Sequence, residues 1–169
     1  MNASDRQPHH SLKLTALTGI PLVQPGDCLV SFILQSLKQT EINLKEGDIL
    51  VIAQKVVSKS EGRYVRLDNV EPSKKALELA KLTEKDPRLV ELILTESREI
   101  VRHRDGVIVV ENRQGIILAN AGIDQSNVES DNEAEQVLLL PLNPDESASN
   151  IRKQLQKKNQ RKCSRHHQR

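Results

Sequence analysis

The stretch "ANAGIDQSN", residues 119–127, combines small residues with side chains that can bind a cation or a phosphate. It follows the apolar run "GIILA" and contains one acid, Asp124, with Asn127 three residues later. A carboxylate can ligate a divalent cation, and an amide can hydrogen-bond a nucleotide or a bound water. Asn120, Gly122 and Asp124 also suit a plain turn, because these residue types tolerate left-handed or tight backbone geometry. The stretch therefore indicates either a metal or phosphate site or an ordinary loop.

Two further polar segments, "GIPL" at residues 19–22 and "AQKVVSK" at residues 53–59, also lie at the ends of predicted strands. The second segment contains Lys55 and Lys59, and lysines at such positions are commonly surface residues. The common nucleotide, zinc-protease and esterase motifs GxxxxGK[ST], GxGxxG, HExxH and GxSxG are absent. The two His pairs, at residues 9–10 and 166–167, lie in polar ends where a fixed metal shell is not expected.

Composition predicts about one folded domain. Leu, Ile and Val make up 48 of the 169 residues, above the level of about a fifth below which disorder is expected. Cys28 and Cys163 are far apart and form no CxxC pair, which fits a reducing cytoplasm rather than a disulfide scaffold or a zinc ribbon. No apolar run is long enough to cross a bilayer, so we expect no membrane association.

Charge is distributed unevenly along the chain. Residues 151–169 contain eight Lys or Arg and no acid, whereas residues 1–150 contain 17 basic and 23 acidic residues. A basic end can neutralise nucleic-acid phosphates, but aromatic stacking residues and a reading motif are absent. We therefore expect no specific nucleic-acid partner. Residues 1–11 are expected to be disordered.

Periodicity and turn residues predict a mixed fold of the α+β type. Strands are predicted at residues 12–17 and at residues 49–53, the second buried on both faces. A helix is predicted from Leu29 to about Lys38. Further helices are predicted after the capping residues Ser73, Asp86 and Asn143, and a β-hairpin is predicted from residues 107–110 and 116–119.

Six segments resemble, in order, the N-terminal part of the coenzyme F-420-0:γ-glutamyl ligase family. They are "GIPLVQPGD", "EGDILVIAQKVVSKSEGR", "EPSKKALELA", "KDPRLVELILTES", "GVIVVENRQGIILANAGIDQSNV" and "LLLPLNPDESASNIRKQL". The resemblance covers about residues 12–155. Its most specific parts are "QKVVSKSEGR" and "NAGIDQSNV".

The resemblance implies a GTP-dependent ligase of coenzyme F-420 biosynthesis. Such an enzyme adds L-glutamate to the lactyl carboxylate of a deazaflavin precursor, coenzyme F-420-0, through an acyl phosphate. It also implies Mg²⁺ or Mn²⁺, with K⁺ as a further cation, a cytoplasmic location and a homodimer. Divalent cations are needed because the triphosphate charge must be screened during phosphoryl transfer.

The resemblance also assigns site residues. Gly19, Ile20, Pro21 and Leu22 would line the GTP pocket, with Gln54, Lys55 and Lys59 nearby and Asn127 as a further nucleotide contact. Asp124 would be a ligand of the metal.

The chain after Leu155 departs from the family pattern. Family members continue into an apolar strand and an Asp-Thr pair of further metal ligands, whereas this chain reads "QKKNQRKCSRHHQR". We therefore expect a partial ligase domain at residues 12–155, with its C-terminal part missing, and a disordered, non-family tail at residues 156–169. A truncated or frameshifted reading frame is the corresponding hypothesis. The function is then either an impaired ligase or a non-catalytic nucleotide-binding remnant.

Overall fold

The computed structural model describes residues 11–125 and 135–166, with side chains up to residue 158. Helices and antiparallel sheets occur together in this part of the chain, which confirms the predicted α+β class. The helices are α1 Leu29–Gln39, α2 Gln54–Ser60, α3 Lys74–Thr83, α4 Pro87–Thr95 and α5 Pro144–His166. The strands are β1 Tyr64–Arg66, β2 Ser97–Arg104, β3 Val107–Asn112, β4 Ile117–Ala119 and β5 Gln136–Leu138.

The predicted helices are confirmed, and their caps explain where they begin. The Ser73 hydroxyl accepts a hydrogen bond from the Ala76 N–H at 3.2 Å, which satisfies a free donor in the first turn of α3. Asp86 accepts from the Arg88 N–H at 2.8 Å, and Pro87 follows it at the start of α4. Asn143 accepts from the N–H of Glu146 at 3.1 Å in the first turn of α5.

Two antiparallel sheets are formed by the described strands. The predicted hairpin is confirmed: β3 pairs with β4, and Val110 lies opposite Leu118. Strand β2 pairs with the other edge of β3 with two register shifts. Strand β2 was not predicted, because its sequence "SREIVRHR" is mostly charged and carries little apolar alternation. The second sheet pairs β1 with β5, strands that are separated by 69 residues of chain.

Two apolar clusters form the core. The first, here called the sheet cluster, joins α3 and α4 to the strands. Its buried residues are Leu67, Ala76, Leu79, Ala80, Leu89, Val90, Leu92, Ile93, Ile108, Val110, Ala121, Val137 and Leu139. The second, here called the α1 cluster, joins α1 to α5. Its buried residues are Val23, Leu29, Val30, Ile33, Leu37 and Leu155, with residues of α2 packed against them.

Arg63, just after α2, connects the elements of the two clusters. Its N–H donates to the Ser58 carbonyl in α2, and its carbonyl accepts from the Leu139 N–H beyond β5, each at 3.0 Å. Its guanidinium donates to the Leu140 carbonyl at 2.9 Å and to the Glu96 carboxylate at 3.1 Å at the end of α4. One side chain therefore contacts the end of α4 and the chain that leads into α5.

The prediction of strands at residues 12–17 and 49–53 is wrong. Both segments lie outside regular secondary structure. Leu12, Leu14, Ile49 and Val51 are 85%, 84%, 86% and 83% exposed, so the expected burial on both faces is also absent. Apolar content predicts burial, but a strand also needs a neighbouring chain to complete its hydrogen bonds. Alternate residues of these segments, Leu17, Leu50 and Ile52, do pack on the α1 cluster.

Two segments that were expected to be irregular are helical. The segment "QKVVSKS", interpreted as a loop, forms helix α2, with Val56 and Val57 packed on the α1 cluster. Helix α5 continues to His166, past the expected start of the disordered tail. Gln, Lys and Arg are good helix formers, so the helix can extend without an apolar face. Within the described residues, no helix has the length and apolar character needed to span a membrane.

Candidate functional site

Asp124 follows a left-handed turn at the end of β4. Asn120, Ala121 and Gly122 have φ values of 51°, 52° and 69° in succession. This confirms the turn predicted from Asn120 and Gly122. Left-handed backbone costs about 1–2 kcal/mol for a residue with a side chain, so the turn at Ala121 must be stabilised by its surroundings. Ala121 is buried in the sheet cluster, and the Asn120 side-chain oxygen accepts from the Ile108 N–H at 3.2 Å.

Gly122 is required by close packing as well as by its backbone conformation. A Cβ atom at this position would lie 2.9 Å from Leu118 Cδ1 and 3.0 Å from the Leu140 methyl carbons. Among the described residues, the groups that approach it are these two leucine side chains, so Gly122 fixes the turn against the core.

The position of Asp124 is also set by its own backbone. Its N–H donates to the Leu138 carbonyl at 2.9 Å, and its carbonyl accepts from the Leu138 N–H at 2.8 Å. This antiparallel bridge extends the pairing of β5 beyond the two-stranded sheet. The carboxylate is therefore attached to two elements, the turn after β4 and the strand β5.

The Asp124 carboxylate forms an ion pair with Lys55. Lys55 Nζ lies 2.5 Å from Asp124 Oδ2, and the two side chains are 35% and 23% exposed. The pair brings together the two most specific segments of the sequence, "QKVVSKSEGR" and "NAGIDQSNV". A partly exposed pair is screened by water and contributes about 0–1 kcal/mol to stability. Its importance therefore lies in the placement of a carboxylate and an ammonium at one point of the surface.

Helix α2 presents Gln54, Lys55 and Lys59 near this point. Residues four apart lie on the same face of a helix, so Lys59 follows Lys55 by one turn along that face. Both lysines are half-buried. The Gln54 amide donates to the buried Ser58 hydroxyl at 3.1 Å, which restricts the orientation of that amide. Lys55 and Lys59 thus share one face of α2, and Lys55 is paired with Asp124.

The segment Gly19–Leu22 lies at the C-terminal end of α1. Gly19 has φ of 75°, and a Cβ atom there would lie 2.7 Å from Gln39 Oε1. The Ser36 hydroxyl donates to the carbonyl of the preceding residue, Thr18, at 2.6 Å. Ile20, Pro21 and Leu22 are exposed. Leu17, which precedes the segment, packs on the α1 cluster, as do Val56 and Val57 of α2.

Asn127, the predicted nucleotide contact, lies outside the described residues. Ser36, which contacts the residue before Gly19, was not predicted to lie at the site, although its position in the sequence is unusual. It is a small polar residue in the apolar stretch "LVSFILQSLKQ", on the buried side of α1 next to Leu37.

The predicted metal site has Asp124 as its assigned protein ligand. Among the described side chains, those of residues 11–125 and 135–158, no group of three or more His, Cys, Asp or Glu could hold a metal ion. Asp124 supplies one carboxylate. Magnesium commonly takes one or two protein carboxylates together with substrate phosphates and water. The described side chains therefore fit a cation shared with a phosphate ligand, and they do not fit a closed metal site made of protein alone.

Comparison with known proteins identifies the class of protein to which this α+β fold and site belong. The sequence model of the F420-0:Gamma-glutamyl ligase family matches residues 19–164. The matched range contains helices α1 to α4, the five strands and most of α5. The chain belongs to this family. The match also runs beyond Leu155, where the likeness was expected to end.

Named relatives are similar over most of this chain. The coenzyme F420:L-glutamate ligase of Methanothermobacter thermautotrophicus is 44% identical over 145 residues, which are 86% of this chain and 56% of the relative. The ligase of the same name from Methanopyrus kandleri is 46% identical over 79% of this chain and 49% of its own length. That of Archaeoglobus fulgidus is 36% identical over 81% and 51%. The chain thus spans about half the length of these relatives.

Proposed function

We propose that this chain binds GTP with a divalent cation as part of a coenzyme F420-0:L-glutamate ligase. Three things support the proposal: the family, the names of the relatives, and the ion pair between Lys55 and Asp124. The ion pair carries the proposal, because it joins the segment assigned to GTP with the residue assigned to the metal. The substrates would be L-glutamate and the deazaflavin precursor.

The proposed roles follow from charge. Lys55 and Lys59 would neutralise phosphate oxygens of GTP, and Gln54 and Gly19–Leu22 would contact the rest of the nucleotide. Asp124 would hold Mg²⁺ or Mn²⁺, which supplies charge screening for the triphosphate when it is bound. When Lys55 turns to a phosphate, its ammonium would leave the Asp124 carboxylate to the cation. Asn127 would be a further nucleotide contact, and K⁺ a further cation.

The proposed reaction has two steps. A carboxylate oxygen of the precursor attacks the γ-phosphorus of GTP, and the bond to GDP breaks to give an acyl phosphate. The amine of glutamate then attacks the acyl carbon, phosphate leaves, and an amide forms with loss of a proton from the amine. The first step brings two anions together, so its barrier depends on cationic groups that are fixed in place.

Nucleotide binding is tested by calorimetric titration of GTP with and without magnesium. We expect magnesium-dependent binding that falls about tenfold or more in Asp124→Ala and Lys59→Ala, because each change removes a charge-assisted contact worth about 1.5–3 kcal/mol. Asp105→Ala and Lys81→Ala serve as matched controls, since both residues are exposed and lie on other elements. Equal titration curves for wild type and Asp124→Ala would overturn the metal role of Asp124.

Ligation by the chain is a separate question from nucleotide binding. Asp124 supplies one ligand of the metal, whereas catalysis needs the cation to be held in a fixed position. Loss of one preorganised contact costs about 10²- to 10³-fold in rate. We propose that this chain alone binds nucleotide but is impaired in ligation. The assay incubates the protein with GTP, magnesium or manganese, L-glutamate and the precursor, and measures glutamylated product by mass spectrometry. Steady formation of product above the level of an Asp124→Ala control would contradict this proposal. It would show that the chain is a ligase and not only a nucleotide-binding protein.

We also infer that the chain forms homodimers, because exposed apolar residues cluster in two segments. Leu12 and Leu14 in one segment and Ile49 and Val51 in the other expose most of their side chains. The same segments pack on the α1 cluster through their alternate residues. Apolar surface of this kind commonly marks an interaction site.

A further inference from the structure

Ser36 is a fully buried polar residue whose side chain is not used within its own helix. It lies in α1 with 0% of its surface exposed. Its hydroxyl donates at 2.6 Å to the carbonyl of Thr18, 18 residues earlier in the chain. Serine is a modest helix former, and its hydroxyl in a helix often bonds the carbonyl four residues back. The stability of α1 therefore does not explain the hydrogen bond from Ser36 to Thr18.

Thr83 in α3 provides the comparison within the same protein. It is also 0% exposed and lies near the end of a helix. Its hydroxyl donates at 2.8 Å to the Leu79 carbonyl, four residues back in the same helix. The two residues share burial and a hydroxyl donor. They differ in that only the Ser36 hydroxyl joins its helix to a distant segment.

The bond from Ser36 acts on the peptide that precedes Gly19. Residues 11–22 form neither helix nor strand, so their conformation is not fixed by a ladder of hydrogen bonds. The carbonyl that accepts the bond belongs to the peptide unit between Thr18 and Gly19. Gln39, one turn further along α1, lies against Gly19. The last turns of α1 thus contact both sides of this peptide, and Gly19 adopts its left-handed conformation at that point.

We propose that Ser36 is a positioning residue that fixes the Gly19–Leu22 segment for nucleotide binding. The proposal has two halves, and the second, the effect on nucleotide binding, rests on the proposed GTP function. Its first half, the fixing of the segment, concerns the protein alone. A fixed carbonyl at Thr18 determines the direction in which the chain passes from Thr18 into the Gly19–Leu22 segment, and with it the positions of the exposed residues Ile20 and Leu22. Preorganisation of this kind raises affinity by reducing the ordering that the ligand must impose.

The test compares Ser36→Ala with Thr83→Val, since each removes one buried hydroxyl donor. Nitrogen-15 relaxation measures the order parameters of the Gly19 and Ile20 amides without ligand, and calorimetry measures the dissociation constant for GTP with magnesium. In Ser36→Ala we expect the order parameters to fall and the dissociation constant to rise about two- to tenfold, the range for loss of one neutral hydrogen bond. In Thr83→Val we expect the order parameters and the dissociation constant to stay at the wild-type values, and only the melting temperature to fall.

The outcomes separate the two halves of the proposal. Unchanged order parameters in Ser36→Ala would overturn the positioning role. A fall in order parameters with unchanged GTP affinity would overturn its connection with the nucleotide. If wild type binds no GTP, the proposed function fails, and the order parameters still decide whether Ser36 fixes the segment. Ser36→Cys, which keeps nearly the same volume with a weaker donor, is the second variant, and we expect intermediate values from it.

Discussion

Lys55 and Asp124 form an ion pair that costs little to break. Both side chains are partly exposed, so water screens the attraction between them. In the proposed function, a cation that arrives with the triphosphate would therefore replace the ammonium at the carboxylate, while the ammonium would move to a phosphate oxygen. At the scale of single residues, the placement of Asp124 depends on the turn before it.

Gly122→Ala tests this dependence. Gly122 has φ of 69°, and an added Cβ would meet Leu118 and Leu140 at 2.9–3.0 Å. We expect a loss of about 2–5 kcal/mol in the free energy of unfolding, from backbone strain of about 1–2 kcal/mol and overpacking of about 1–3 kcal/mol. Urea denaturation measures the change.

Gly106→Ala is the matched control for this substitution. Gly106 has a similar φ of 76°, and a Cβ there would meet no atom within 4 Å. It should therefore show the backbone strain without the overpacking. Equal losses for the two variants would mean that the leucine contacts of Gly122 do not constrain the turn.

At the scale of elements, Asp86 combines two functions at the start of α4. It caps the helix through the Arg88 N–H, and it pairs with the Arg88 guanidinium at 2.6 Å. The hydrogen bonds from the Arg88 side chain lower the pKa of the Asp86 carboxyl below its usual value, more than partial burial raises it. The Arg88 guanidinium also reaches Asp68 and Glu135, so one cation joins three acids.

The lowered pKa of Asp86 predicts a stability that depends on pH. Because the folded pKa lies below the unfolded value of about 3.9, the stabilisation is complete above that value and is lost as pH falls through the folded pKa. Asp86→Asn keeps a capping side chain but has no charge to lose. We expect the stability of the wild type to fall more steeply than that of Asp86→Asn below about pH 4, as measured by urea denaturation from pH 6 to pH 2.5.

A second variant separates the cap from the charge. Asp86→Ala removes the cap and should cost about 1 kcal/mol even at neutral pH. Parallel pH profiles for wild type and Asp86→Asn would show that the pairing with Arg88 does not contribute to acid sensitivity.

Helices α1, α3, α4 and α5 could be predicted from the sequence because their signals are local, whereas α2, which has no capping side chain, was missed. Ser73, Asp86 and Asn143 each mark a helix start within three or four residues. Strands can depend on distant partners, which explains why residues 12–17 and 49–53 were wrongly predicted as strands and why the pairing of β1 with β5 was missed. Strand β2 pairs with its neighbour in the sequence and was missed because it carries little apolar alternation. The pairing of Lys55 with Asp124 also joins distant residues; their placement in one site came from family resemblance and not from periodicity.

At the scale of the whole molecule, the exposed apolar segments predict self-association. We expect light scattering to give a mass above the 19.0 kDa of one chain, rising with concentration. The double variant Leu14→Ser with Val51→Ser should shift the protein towards the monomer, because both side chains are more than four fifths exposed. Leu82→Ser on α3, 60% exposed, is the control and should leave association unchanged. A sharp monomer peak for wild type over a wide range of concentration would contradict this prediction.

The four hydrogen bonds of Arg63 have a consequence for how the molecule opens. They join α2 and the chain after β5 to the end of α4, so that elements of the α1 cluster and of the sheet cluster share one residue. Opening either cluster alone would leave a half-buried guanidinium or carboxylate without its partner, which is costly. We therefore expect the two clusters to open as one cooperative unit, or foldon, with a common free energy of opening for their amides.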